Sequence, residues 1–207
     1  MSTQFTHWLR LVAITNRHRV ANLNEAVATL LLGGVTAIMI REKDLNPAEL
    51  LELAKPIKAL CQQHGAALII NGCVETVLAL GADALHLGFG GPALAQARAQ
   101  VGDTIIIGVS AHEADDLNQL QSEGADYACF SPVFVPNSKV TSAKPVGISG
   151  LQLAVSKTHL PLVALGGINP DRAAACFRAG AVGVAGIGSF FCRDIMRNLQ
   201  NFKAFLG

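Results

Sequence analysis

Eight short, apolar, β-rich runs recur along the chain, and nothing else in it narrows the fold as much. They are LRLVAIT (Leu9 to Thr15), VTAIMI (Val35 to Ile40), ALIIN (Ala67 to Asn71), ALHL (Ala84 to Leu87), TIIIGVS (Thr104 to Ser110), YACF (Tyr127 to Phe130), PLVAL (Pro161 to Leu165) and VGVAGI (Val182 to Ile187). Each is close to continuously hydrophobic, the pattern of a strand buried on both faces in a parallel sheet covered by helices. Between the runs lie segments of helical periodicity, clearest over Pro47 to His64, Pro92 to Gln100, Glu113 to Ser122, Pro170 to Ala179 and Phe190 to Phe205. Gly33-Gly34, Gly81-Ala82, Gly124-Ala125 and Gly180-Ala181 each stand just before a strand, where glycine suits the end of a helix.

Eight βα units of roughly 26 residues each predict a single (β/α)8 barrel domain over residues 1–207. With 51% of 207 residues apolar and 15% charged, the chain supplies one large core and not two ordinary domains. An open doubly wound sheet is the alternative; it needs no eighth strand, and no G-x-G-x-x-G follows the first run.

Sixteen Lys and Arg against fifteen acids leave no broad basic surface, so neither nucleic acid nor a membrane surface is expected as a partner. No run is long and apolar enough to span a bilayer, and Arg10 interrupts the first hydrophobic stretch, which argues against a signal peptide. Five cysteines, odd in number and mostly set in apolar runs, fit buried thiols in a reducing compartment. A cytoplasmic protein is expected, and a homo-oligomer is compatible with everything so far.

A barrel directs chemistry to the C-terminal ends of its strands and often holds phosphate in the loops after strands seven and eight. Those loops read Gly166-Gly167-Ile168-Asn169 and Gly186-Ile187-Gly188-Ser189, the second just ahead of a helix expected from Phe190. Glycine lets backbone N–H groups approach an anion, and a helix N-terminus adds its dipole. Gly166, Gly167, Gly186, Gly188 and Ser189 are therefore candidate phosphate ligands; glycine for tight turns alone is the plainer explanation. After strand two, IREKD aims Arg41 and Lys43 at the mouth, where they suit an anionic substrate group, although Glu42, Lys43 and Asp44 also read as a solvated surface cluster. After strand five, GVSAH places Ser110 and His112 at the rim, with His112 the candidate acid/base; a helix-capping histidine is the alternative. His86, inside strand four, reads as a satisfied interior histidine, and Cys73 as an inert cysteine. The loop FSPVFVPNSKVTSAKPVG after strand six suggests a lid whose Ser138 and Lys139 reach a phosphate; a plain surface loop competes with it.

Together, LVAITN, IREKD, IING, GADALHLG, IIGVSAHE, SPVFVPNSK, LGGIN and GVAGIGSFF resemble the thiamine phosphate synthase superfamily, which includes the thiazole tautomerases of the TenI type. The resemblance runs through nearly the whole chain and implies a (β/α)8 barrel that binds a thiazole phosphate or thiamine phosphate, with the acid/base on His112 and Asn71 among the substrate-binding residues. In the synthases, I-N-D after strand three and H-L-G-Q-x-D after strand four supply two aspartates that hold Mg²⁺. Here those positions are Gly72 and Gly91, the Gln two residues before the motif's Arg is Met39, and the lid's T-x-T-K reads Pro136-Asn137-Ser138-Lys139. A hard cation needs oxygen ligands.

These departures favour a tautomerase without metal or other cofactor, which shifts a proton on a carboxylated thiazole phosphate and aromatises it. Thiamine phosphate synthase, with Mg²⁺, is the alternative, and a non-catalytic barrel that binds thiamine phosphates in a regulatory role is a third. Phosphate-binding barrels that isomerise or epimerise sugar phosphates remain a more distant possibility, since fold alone does not fix function.

Overall fold

The computed structural model describes residues 3–88, 93–135 and 144–203. Its strands are β1 (Leu11–Ile14), β2 (Ala37–Ile40), β3 (Ala67–Asn71), β4 (Ala84–Leu87), β5 (Ile106–Ala111), β6 (Tyr127–Phe130), β7 (Leu162–Leu165) and β8 (Gly183–Gly186). All pair in parallel with their sequence neighbours, and β8 returns to β1 through Leu11↔Val184, closing the barrel. The closure excludes the open sheet.

The near-continuous apolar runs have the predicted cause. In β1, Val12 and Ile14 point into the barrel with Met39, Ile69, Cys129 and Val163, while Leu11 and Ala13 join the layer beneath the helices. Successive side chains of a strand alternate between faces, so both faces must be apolar when both are buried.

The helices are α1 (Leu23–Leu32), α2 (Pro47–His64), α3 (Val74–Leu80), α4 (Leu94–Val101), α5 (Leu117–Ser122), α6 (Gly147–Lys157), α7 (Pro170–Arg178) and α8 (Ile195–Lys203). Pro47 to His64 is helical over the predicted span: Asn46 and Glu49 form a reciprocal capping box, and Pro47 sits where its missing N–H costs nothing. Gly34, Gly81, Gly124 and Gly180 precede their strands with φ of 92°, 59°, 103° and 96°, as helix-ending glycines do.

Several boundaries differ from expectation. The strands are trimmed by one or two residues at several ends, except that β5 extends through Ala111. The segment from Glu113 opens with a 3-10 turn before α5. The closing helix starts at Ile195 and not at Phe190. Phe190 and Phe191 are both fully buried, and Asp194 accepts from the Arg197 N–H, so the polar cap four residues on sets the start. Among the described residues no helix is long and apolar enough to cross a membrane.

Candidate active site

The strand C-termini surround a cavity of about 800 Å³. Arg41 and Lys43 after β2, Asn71 at the end of β3, Ser110 and His112 around the end of β5, Gly166 and Gly167 after β7, Gly186 at the end of β8, and Gly188 and Ser189 after it all line it. The barrel thus brings together residues that lie up to about 150 positions apart in sequence, as parallel strands pointing one way require. Gly91, Ser138 and Lys139, with the rest of the proposed lid at 136–143, lie outside the described residues.

On the β2 side, the EKD cluster is only in part the solvated patch that its composition suggests: Lys43 and Asp44 are exposed, and Glu42 is not. Glu42 is 7% exposed and accepts from the backbone N–H and the guanidinium of Arg17, whose other face grips Asp44. This pairing holds the Asp44 carboxyl well below its usual range. His18, Glu42 and Asp44 are close enough to share a cation, but Arg17 already engages both carboxylates. The clamp orients the loop so that Arg41, whose N–H donates to Thr15 Oγ1 at 3.0 Å, and Lys43 line the cavity.

On the β3 to β6 side the rim holds Asn71 and Gly72. Gly72 has φ +76° and open space where a Cβ would be, so this position contributes no side-chain ligand. An aspartate there would have room but would adopt a left-handed backbone. The described β3 rim therefore offers one neutral amide and no carboxylate, a donor set that does not fit Mg²⁺. Ser110 lies within β5, as its run implies, and His112 is the first residue past the strand. His112 Nδ1 bonds the Ser131 carbonyl, which requires the proton on Nδ1 and makes Nε2 the basic nitrogen of the neutral ring. His86 is an interior histidine, 3% exposed, bonded to Tyr127 and Ser110. Burial, reinforced by the nearby Arg41 charge, lowers its pKa from 6.5 to about 4.

The thiols divide. Cys61, Cys129 and Cys176 are buried, and burial pushes them up to about 12, about 12 and about 11. Cys73, expected to be buried, is half-buried and lines the cavity, its Sγ 3.1 Å from Thr76 Oγ1.

On the β7 to β8 side the glycines have a conformational and packing cause of their own. Gly166 and Gly167 have φ of 99° and 62°, and a Cβ on them would lie 2.8 Å from Pro132 Cα and 2.4 Å from the Val135 carbonyl. Close packing of the β6 loop therefore demands glycine here whether or not an anion binds. The Ser189 hydroxyl donates to the Ile168 carbonyl and ties the two loops together. Because α8 starts at Ile195, it contributes no dipole at Ser189.

Two arginines missed by the sequence reading flank these loops. Arg19, after β1, donates through Nε to the Phe191 carbonyl at 3.1 Å, and Arg172, in the first turn of α7, donates to the Gly167 carbonyl at 2.6 Å while lying over the Phe134 ring. Both line the cavity. A cation in a helix's first turn opposes the helix dipole, and that anomaly was the available signal for Arg172. Arg19, Arg41, Lys43 and Arg172 form no ion pair among the described residues, whereas Glu42, also in the lining, is matched by Arg17.

Comparison with known proteins identifies the family. The sequence profile of the family described as "Thiamine monophosphate synthase" matches residues 11–190. A putative thiamine-phosphate synthase of Geobacter sulfurreducens is 41% identical over 177 residues, covering 84% of this chain and 83% of that protein. A thiamine-phosphate synthase of Moorella thermoacetica is 40% identical over 165 residues, covering 80% and 79%. The solved thiamine phosphate pyrophosphorylase from Pyrococcus furiosus superposes with a TM-score of 0.89 at 29% identity, over 98% of this chain and 97% of that one. From its first strand to the loop after its last, the chain belongs to the thiamine monophosphate synthase family.

Proposed function

We propose that the chain is an enzyme of thiamine biosynthesis acting on a thiazole phosphate, and that its reaction is the coupling that gives thiamine phosphate. The names of relatives 40–41% identical support this over the tautomerase that Gly72 and Gly91 alone suggest. The observation that carries it is the set of four cations around one cavity, Arg19, Arg41, Lys43 and Arg172, none of which forms an ion pair among the described residues.

In the coupling, the thiazole nitrogen forms a bond to the methylene carbon of a pyrimidine diphosphate as the C–O bond breaks, and diphosphate leaves with the electron pair. Its growing negative charge has to be met by fixed positive charge. Arg41 and Lys43 follow β2, whereas Arg19 and Arg172 bond carbonyls of the loops after β8 and β7, so one pair can take the diphosphate while the other, with the glycine loops, takes the thiazole phosphate. Since the described rim residues do not fit Mg²⁺, no step is assigned to it.

The tautomerase is the second reading, favoured by Gly72 and by the tautomer of His112. A proton shift driven by aromatisation needs one acid/base, for which Nε2 of His112 is suited, and no leaving group. Offering the purified protein both reactions, with Mg²⁺ and with excess EDTA, separates the two. Thiamine phosphate formation above background is expected. Proton exchange or tautomerisation without coupling under every condition would transfer the assignment to the second reading, and turnover of neither would leave a binding protein.

A further inference from the structure

We propose that His86 and Tyr127 are positioning residues that fix the direction of the Ser110 hydroxyl, making it a hydrogen-bond donor into the cavity. The inference rests on the cavity being the substrate site, but not on which reaction runs there.

The sheet register sets the geometry. His86 of β4 pairs with Gly108 of β5, and Gly108 pairs with Tyr127 of β6, so the three lie in one row across the sheet, facing the barrel interior. Gly108 is the gap in that row. A Cβ on it would lie 2.0 Å from Tyr127 Cζ, so the missing side chain lets the tyrosine ring cross β5 and bring its hydroxyl 3.3 Å from His86 Nδ1. On the other side of the imidazole, Nε2 is 3.0 Å from Ser110 Oγ.

Proton counting gives this chain a direction. Tyr127 is 0% exposed, and His86 is the one hydrogen-bond partner of its hydroxyl among the described residues. A buried phenol left without an acceptor forfeits a hydrogen bond that it would make in water. Its proton therefore goes to Nδ1, which places the imidazole proton on Nε2. That proton is donated to Ser110 Oγ, whose own hydrogen must then point elsewhere. Ser110 is half-buried and lines the cavity, so elsewhere is the ligand. The reversed order would make Nδ1–H the donor and leave the tyrosine proton unplaced. Charge does not blur the polarity at neutral pH: burial raises the Tyr127 hydroxyl well above its ordinary value and lowers His86 to about 4. The chain thus offers Ser110 O–H to an acceptor such as a carboxylate or phosphate oxygen or a ring nitrogen, two residues from His112 on the same strand end.

The test has two arms. In ¹⁵N-histidine-labelled protein at neutral pH, long-range ¹H–¹⁵N correlation, assigned by the signals that vanish in His86→Gln, should find His86 neutral and protonated on Nε2. A neutral ring protonated on Nδ1, or a charged ring, would overturn the proposal. This arm uses the unaltered fold and does not depend on the identity of the substrate. In the second arm, binding of thiazole phosphate is measured for Ser110→Ala, Tyr127→Phe and the double variant. Ser110→Ala should weaken binding about tenfold or more, the scale of one lost hydrogen bond to a charged group. Tyr127→Phe should weaken it less, and should add nothing in the Ser110→Ala background, because both changes remove the same directed donor. Equal, additive losses would mean that Tyr127 acts through packing alone, and an unaffected Ser110→Ala would mean that the hydroxyl meets no ligand atom; either overturns the proposal. If thiazole phosphate does not bind the wild-type protein, the proposed function fails, while the NMR arm still decides the proton direction.

Discussion

At the scale of single residues, Gly72 carries the tension in this site. In sequence it reads as a lost carboxylate, and the structure adds that its backbone has φ +76° with nothing within 4 Å of a built Cβ. The cost of a substitution there is conformational and not steric. Gly72→Asp should therefore fold and lose about 1–2 kcal/mol in urea unfolding, the cost of an L-residue in the left-handed region. A loss beyond about 3 kcal/mol would mean that the apparent space is filled. His112 was legible as a residue from its place two positions after Ser110, but its tautomer was not, because the Ser131 carbonyl that sets it arrives from β6, nineteen positions away. The burial of Glu42 was illegible for the same reason: its partner, Arg17, comes from the preceding strand's loop.

At the scale of elements, the strands and most helix ends could be read because their causes are local. Burial on both faces writes itself into each strand, and the Asn46 to Glu49 box lies within four residues. The start of α8 was misread because hydrophobic Phe190 and Phe191 extend the apolar pattern, while the cap that counts is Asp194. That misreading matters for phosphate. Without a helix dipole at Ser189, the positive charge beside the β7 and β8 loops has to come from side chains, and among the described residues Arg19 and Arg172 line the cavity there. Arg19→Ala and Arg172→Ala should each weaken binding of thiazole phosphate by roughly 10- to 100-fold, the range for hydrogen bonds to a charged group. Arg172→Ala also removes the bond to Gly167, so its thermal midpoint should be measured alongside. Affinity unchanged in both variants would place the phosphate elsewhere in the cavity.

At the scale of the whole molecule, the barrel interior holds a buried titratable histidine, and global stability should report it. The folded-state pKa of His86 is lowered to about 4 against an unfolded value of 6.5, by burial first and by the Arg41 charge second. Between those values the unfolded chain binds more protons than the native one, so stability rises with pH across the interval. The contribution is fully present above about pH 6.5 and is lost as pH falls through 4. A shift of this size corresponds to roughly 3 kcal/mol, a large part of a typical domain's stability. The paired carboxylate Asp44 has its pKa lowered from an ordinary value of 3.8, so its contribution is lost mainly below that pH, and the two effects separate along the pH axis. Urea midpoints for the wild type should therefore drop between pH 6.5 and 4, while His86→Gln, which cannot take up the proton, should start from a lower midpoint and show a flatter curve over that interval. Parallel curves for the two proteins would mean that His86 is already charged in the folded barrel, and with it would go the directed chain from Tyr127 to Ser110.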